Sequence, residues 1–193
     1  EDMQREGILP DKGLLWTLVD ACSSVIALEE GKYVHFMIVL FGLEMDPSLG
    51  AGLVNLFGKC GKLNEALFML NKLPEGNLVA WTAMIASYTE HGQENEAFLL
   101  YEKMQSEGLY PNKVTFVCIL SACANAKAVM EGQCVHTEII DSETYGDVVV
   151  MTALVSMYGK CSMEEDAKKT FDEIQEPNVI SWNAMLAAYS QGE

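Results

Sequence analysis

Three histidines, six cysteines and one His-x-Glu sequence are the parts of this chain whose side chains could do acid–base, thiol or metal chemistry. His136-Thr137-Glu138 reads as the first half of a zinc deaminase signature, in which the histidine ligates zinc and the glutamate shuttles protons. The PCxxC half is absent, and a shift of 101 residues carries His136 back onto His35, which is followed by Phe36-Met37. The position therefore belongs to an internal repeat and not to a metal site. Cys22, Cys60, Cys118, Cys123, Cys134 and Cys161 contain no CxxC pair, and Cys22 with Cys123 and Cys60 with Cys161 are equivalents under the same shift. Small packed thiols in a reducing compartment are expected, rather than a disulfide framework. With no phosphate-binding glycine loop and no nucleophile elbow, the chain reads as a non-enzyme: no catalytic residue, no metal, no cofactor and no small-molecule substrate. What remains is recognition. Val79 and Thr82 stand three apart on one helical face, offset by one residue from an apolar stripe, where a ligand lying across the helix could meet both.

The element that positions them is a helical hairpin from Leu78 to Asn112. In its first half Trp81, Met84, Ile85 and Tyr88 recur at the spacing of a 3.6-residue helix, and Ala97, Leu100, Tyr101 and Met104 repeat that spacing in the second half. His91-Gly92-Gln93 separates the halves, while Gly108 and Pro111 close the unit. Two helices of about three turns are marginal alone, so the hairpin needs neighbours of its own kind.

Sliding the chain against itself supplies them. The shift that takes Trp81 to Trp182 also lays NLVAWTAMIASY on NVISWNAMLAAY and Gly58-Lys59-Cys60 on Gly159-Lys160-Cys161. Each long period holds three units. We place them at residues 12–46, 47–77, 78–112, 113–147 and 148–178, with lengths of 35, 31, 35, 35 and 31 by subtraction. Residues 1–11 are the tail of one unit, and residues 179–193 begin another. First helices carry the stripes Leu15, Leu18, Val19, Cys22; Leu53, Val54, Phe57; Phe116, Ile119, Leu120, Cys123; and Met151, Leu154, Val155, Tyr158. Second helices carry a small residue at one shared point, Gly31, Ala66, Ala97, Gly132 or Ala167, expected to let paired helices approach closely. Stacked hairpins of this size make an all-α fold, an α-solenoid, wound as a right-handed superhelix.

The alternation of lengths resembles the plant-type pentatricopeptide repeat in its long, short and standard (PLS) variants. VTFVCILSACANAKAVMEGQCVH has the wording of the long form, TALVSMYGKCSMEEDAKKTFDEIQEPN of the short and VAWTAMIASYTEHGQENEAFLLYEKMQSEGLYPN of the standard, and the likeness covers essentially the whole chain. It implies sequence-selective binding of single-stranded RNA, as part of an organellar editing or processing factor in a mitochondrion or chloroplast, alongside other editing or processing proteins. It also implies that the second residue of each unit packs on a base, here Val79, Val149 and Ile180, while the fifth and last residues choose it. That pairs Thr82 with Asn112 and Thr152 with Asn178, both favouring adenine, and Asn183 begins a third set. The two adenines would be separated by the space of one nucleotide. The plainer alternative is that Asn112 and Asn178 end turns, where asparagine is common. Ala51 and Ser48 depart from the pattern in the first short unit. Trp16 and Val117, with Asp46 and Asp147, make the long units look like spacers.

Charge sets the remaining bounds. The formal net charge is −16, from 12 basic and 28 acidic residues, against the basic surface expected of a nucleic-acid binder. Either the acid sits on second helices, leaving first helices neutral, or this piece serves as an acidic protein-interaction scaffold for a basic partner. Glu94, Glu96, Glu102 and Glu107 fit the first reading. Lys59 and Lys160, at matching first-helix ends, are either phosphate contacts or solvated helix-ending lysines. No apolar run is long enough for a membrane span, so no membrane partner is expected. The opening Glu-Asp lacks the basic character of a targeting leader, and any such leader is expected upstream.

Overall fold

The computed structural model describes residues 10–74 and 76–191. Eleven helices occupy them, and no described residue is in a strand. In chain order they are α1 (Lys12–Ser24), α2 (Leu28–Leu40), α3 (Pro47–Lys59), α4 (Leu63–Lys72), α5 (Leu78–Glu90), α6 (Glu94–Ser106), α7 (Lys113–Ala126), α8 (Val129–Ile140), α9 (Val148–Lys160), α10 (Glu164–Asp172) and α11 (Val179–Gln191). The chain forms two compact units, residues 1–87 and 88–193. Within each, helices pack only against their own hairpin partner or the next hairpin, the arrangement of an α-solenoid.

Odd-numbered and even-numbered helices start by different means. Asp11, Asp46, Asn112 and Asp147 cap α1, α3, α7 and α9 through side-chain oxygens, and Pro47 takes the first turn of α3, where no amide hydrogen is needed. The even helices have no side-chain cap. They carry acid in the first turn instead: Glu29 and Glu30, Glu65, Glu94 and Glu96, Glu131, and Glu164 to Asp166. Carboxylates there offset the positive end of the helix dipole, so much of the negative charge has a local structural cause.

The expected stripes are buried with one exception. Leu15, Val19 and Cys22 are inside, whereas Leu18 is 40% exposed; its repeat equivalent Ile119 is 1% exposed. Ile119 lies on α7, which packs on α6, and α1 has no preceding described helix to cover Leu18. The same holds at the other end: Trp182 is 54% exposed where Trp81 is 7%.

Two of the small residues, the glycines, act between hairpins rather than within them. A Cβ on Gly31 of α2 would stand 2.6 Å from the Leu56 side chain on α3, and one on Gly132 of α8 would stand 2.6 Å from Met157 Sδ on α9. The close approach is thus between a second helix and the first helix of the following hairpin. Turn geometry follows the glycines: Gly92 and Gly108 have φ of 68° and 78°. Ile26 occupies the same left-handed region at 56°, where a β-branched side chain is strained.

Candidate nucleic-acid interface

Within the two compact units the first helices α1 and α3, α7 and α9, and α9 and α11 lie side by side. On α1 the stripe Lys12, Trp16, Val19, Ser23 faces α3. Lys12 Nζ pairs with Asp46 Oδ2 at 2.5 Å, Val19 meets Gly52, and Asn55 Nδ2 donates to Ser23 Oγ at 2.9 Å. Trp16 sits between the ion pair and the Val19 contact. On α9 the matching stripe is Val148, Thr152, Val155, Gly159, and a Cβ on Gly159 would stand 2.6 Å from Ala188 Cβ on α11. Gly58 of α3 crosses Ser87 of α5 in the same way.

The N-terminal ends of these seams are tied. Asp46 caps α3 with Oδ1, accepting from Ser48 and Leu49 amides at 3.0 and 3.1 Å, while its Oδ2 takes Lys12. Asp147 repeats the device, with Oδ1 accepting from Val149 at 2.9 Å and Oδ2 taking Lys113 at 3.2 Å. Burial works against both carboxylates, yet the lysine and the amide donors hold them below the usual carboxylate range. Sequence reading missed both pairs, although Lys12 and Lys113 are equivalents under the 101-residue shift and could have flagged them.

Asparagines occupy the same corner in the other units. Asn77 accepts from the Ala80 amide through Oδ1 at 3.2 Å and donates through Nδ2 to Pro47 O at 2.8 Å, so both ends of its amide are used. Asn112 Oδ1 accepts from Thr115 N at 3.0 Å in a capping box. Asn178 Oδ1 accepts from the amides of Ile180 and Ser181 and from Ser181 Oγ, at 2.8 to 3.1 Å. Among the described residues the Asn178 Nδ2 has no hydrogen-bond partner. Both asparagines therefore begin a helix rather than end a turn.

Thr152 is half-buried, and its hydroxyl donates to Val148 O at 2.6 Å, leaving the oxygen lone pairs to accept. Thr82, on the same repeat position of α5, is 7% exposed. The residues assigned to base packing are open: Val79 is 66%, Val149 51% and Ile180 68% exposed. Asn183 is exposed on α11. Lys59 and Lys160 are both exposed at helix ends, and Lys160 Nζ also reaches Asn125 Oδ1 at 3.4 Å. Thr152 and Asn178 lie within the second compact unit; Thr82 lies in the first and Asn112 in the second.

His136 is a packing residue. Its Nδ1 is 2.8 Å from the Tyr158 hydroxyl, its Nε2 is buried without a partner, and the rings meet edge to face. His35 meets Phe57 likewise. All six cysteines are free; Cys22 and Cys123 are buried, while Cys60 and Cys161 are only half-covered and Cys134 is exposed. Among the described residues no three His, Cys, Asp or Glu side chains are grouped to hold a metal ion, and no helix is long and apolar enough to cross a membrane.

Residues 76–125 match the PPR repeat family, and residues 52–78 and 149–179 match the PPR repeat, together more than half the chain. A chloroplastic pentatricopeptide repeat-containing protein of Arabidopsis thaliana is 34% identical over 98% of this chain and 31% of its own length. A mitochondrial one from the same plant is 35% identical over 98% of the chain and 27% of its own. The chain thus spans less than a third of these curated relatives. Among solved structures, the pentatricopeptide repeat protein PPR10 in complex with an 18-nt psaJ RNA element superposes with a TM-score of 0.81 at 19% identity, over 97% of this chain and 28% of that one. PPR10 from maize gives 0.69 at 25% identity, over 96% and 28%.

Proposed function

Because the chain belongs to the pentatricopeptide-repeat family, we propose that its first-helix seams bind single-stranded RNA and that Thr152 with Asn178 selects a base. The observation that carries this is how the two side chains are spent. Asn178 commits its oxygen to the start of α11, which leaves a fixed donor, Nδ2. Thr152 commits its hydroxyl proton to Val148 O, which leaves an acceptor. An acceptor on α9 and a donor at the start of α11, two helices that pack together, would suit the amino group and ring nitrogen of adenine, N6 and N1, or of cytosine, N4 and N3. Guanine and uracil present the reverse order and would leave groups unpaired, at about 1–3 kcal/mol. Adenine is the base we assign. Asn112 has its oxygen committed in the same way, and Thr82 holds the same repeat position as Thr152. Asn77 engages both ends of its amide internally and Ala51 offers no polar side-chain atom, which supports a first short unit that reads no base.

The relatives named chloroplastic or mitochondrial support an organellar setting, the proposed role there is RNA editing or processing, and the unit lengths support the PLS arrangement. The test is Asn178→Asp. Aspartate keeps the capping oxygen and replaces the donor by an acceptor, so preference for oligo(rA) over oligo(rU) at low salt should fall or reverse while the melting temperature holds. Thr152→Ala should weaken the preference without reversing it. Unchanged preference in both variants would remove the assignment. Wild-type protein that binds basic peptides and no RNA would establish the acidic scaffold reading instead.

A further inference from the structure

Two first-helix seams carry a pair of thiols at the same end. Under the 101-residue shift Cys22 and Cys60 become Cys123 and Cys161, the first of each pair on the earlier helix and the second closing the later helix as its C-cap. Cys22 and Cys123 are buried, at 8% and 0% exposed, whereas Cys60 and Cys161 are half-covered. Cys161 Sγ stands 4.0 Å from the carbonyl oxygen of Cys123, so the end of α9 sets its thiol against the backbone of the residue it would join. We propose that Cys123 and Cys161 form a thiol–disulfide switch: oxidised by a small disulfide, they tie the C-terminal ends of α7 and α9. The N-terminal ends of the same two helices are already tied by Lys113 and Asp147. Such a bond is read without RNA, so its fate is separate from that of the binding proposed above.

The two thiols divide the work of exchange. The thiolate is the attacking species, and a neighbouring cation favours it. Lys127, the C-cap of α7, acts on Cys161 in that sense, although burial still raises the thiol. Cys123 is pushed up to about 12 by burial, with Glu131 and Cys161 adding to it, so it is the slower partner. Cys161 therefore attacks one sulfur of glutathione disulfide, a Cys161–glutathione bond forms and a glutathione thiolate leaves. Cys123 then attacks Cys161 Sγ and expels the second glutathione. The two protein thiols are oxidised and lose their protons, and the two released glutathiones are reduced and take them up. The first seam lacks the cation, because Ile26 holds the place of Lys127. Cys22 and Cys60 should therefore join more slowly.

The experiment incubates the whole chain with glutathione disulfide at mildly alkaline pH and maps the bonds formed by mass spectrometry of non-reduced peptides. A Cys123–Cys161 bond should appear before any Cys22–Cys60 bond and vanish with dithiothreitol. It should also raise the thermal midpoint by several degrees, because it closes a loop in the unfolded chain. Cys161→Ser should abolish it. Lys127→Asn removes the cation and suits the left-handed backbone there, φ 52°, and should slow closure several-fold. Unfolding midpoints of the reduced chains report whether each variant is folded. A chain that takes up glutathione without closing the bond, or that joins exposed Cys134 instead, overturns the switch. So does a Cys123–Cys161 bond that lowers the midpoint.

Discussion

Asn178 caps α11 through Oδ1, and the base selection proposed for it would use Nδ2, so substitution can separate the two. Asn178→Ala removes the oxygen that starts α11 and should cost about 1 kcal/mol in urea unfolding, whereas Asn178→Asp should leave the midpoint in place. His136 gives a second residue-scale test. Burial holds its imidazole below the ordinary value, against the raising influence of Glu173 and Asp166, so the fold favours the neutral ring. As pH drops through the ordinary histidine range near ~6.5, the unfolded chain takes up a proton that the fold refuses, and stability falls until the lower folded value is passed. Melting temperatures should decline from neutral to mildly acidic pH, with a flatter profile in His136→Gln. The reader positions proposed here rest only on the family resemblance, because Thr and Asn at such spacing carry no periodic signal. Their capping role was locally legible, since Asn112 and Asn178 each stand three residues before Thr115 or Ser181.

Helix packing sets which glycines can change. A Cβ on Gly132 would press on Met157 Sδ and Cε, the movable tip of a flexible side chain, and alanine also recovers about 1 kcal/mol of helix propensity. A Cβ on Gly159 would press on Ala188 at Cβ and at backbone Cα, 2.9 Å away, where nothing can turn aside. Gly132→Ala should be close to neutral and Gly159→Ala destabilising by about 1–3 kcal/mol, as thermal unfolding would read. Ile26→Gly should stabilise by about 0.5–1 kcal/mol by relieving the left-handed turn after α1. The apolar stripes were readable because a 3.6-residue period survives any tertiary context. Leu18 was not, because its exposure depends on the neighbouring helix rather than on its own period. Nor was the reach of Gly31, since a small residue in a sequence does not say which helix comes close.

Nine of the 28 acidic residues behind the charge of −16 stand in the first turns of even helices, and the first-helix lysines at the seams, Lys12 and Lys113, are already paired. Few counterions can then be released. With single strands contributing a slope of about −0.7 per phosphate contacted, log affinity against log salt should fall with a slope no steeper than about −2. A steep slope would mean that phosphates are held by groups outside these seams. The locality of packing has a further effect, on time rather than on binding. Since each helix in a unit touches only its own hairpin or the next, contacting residues are close along the sequence, and little loop entropy is spent before contacts form. Folding should begin from any hairpin and spread to its neighbours within milliseconds.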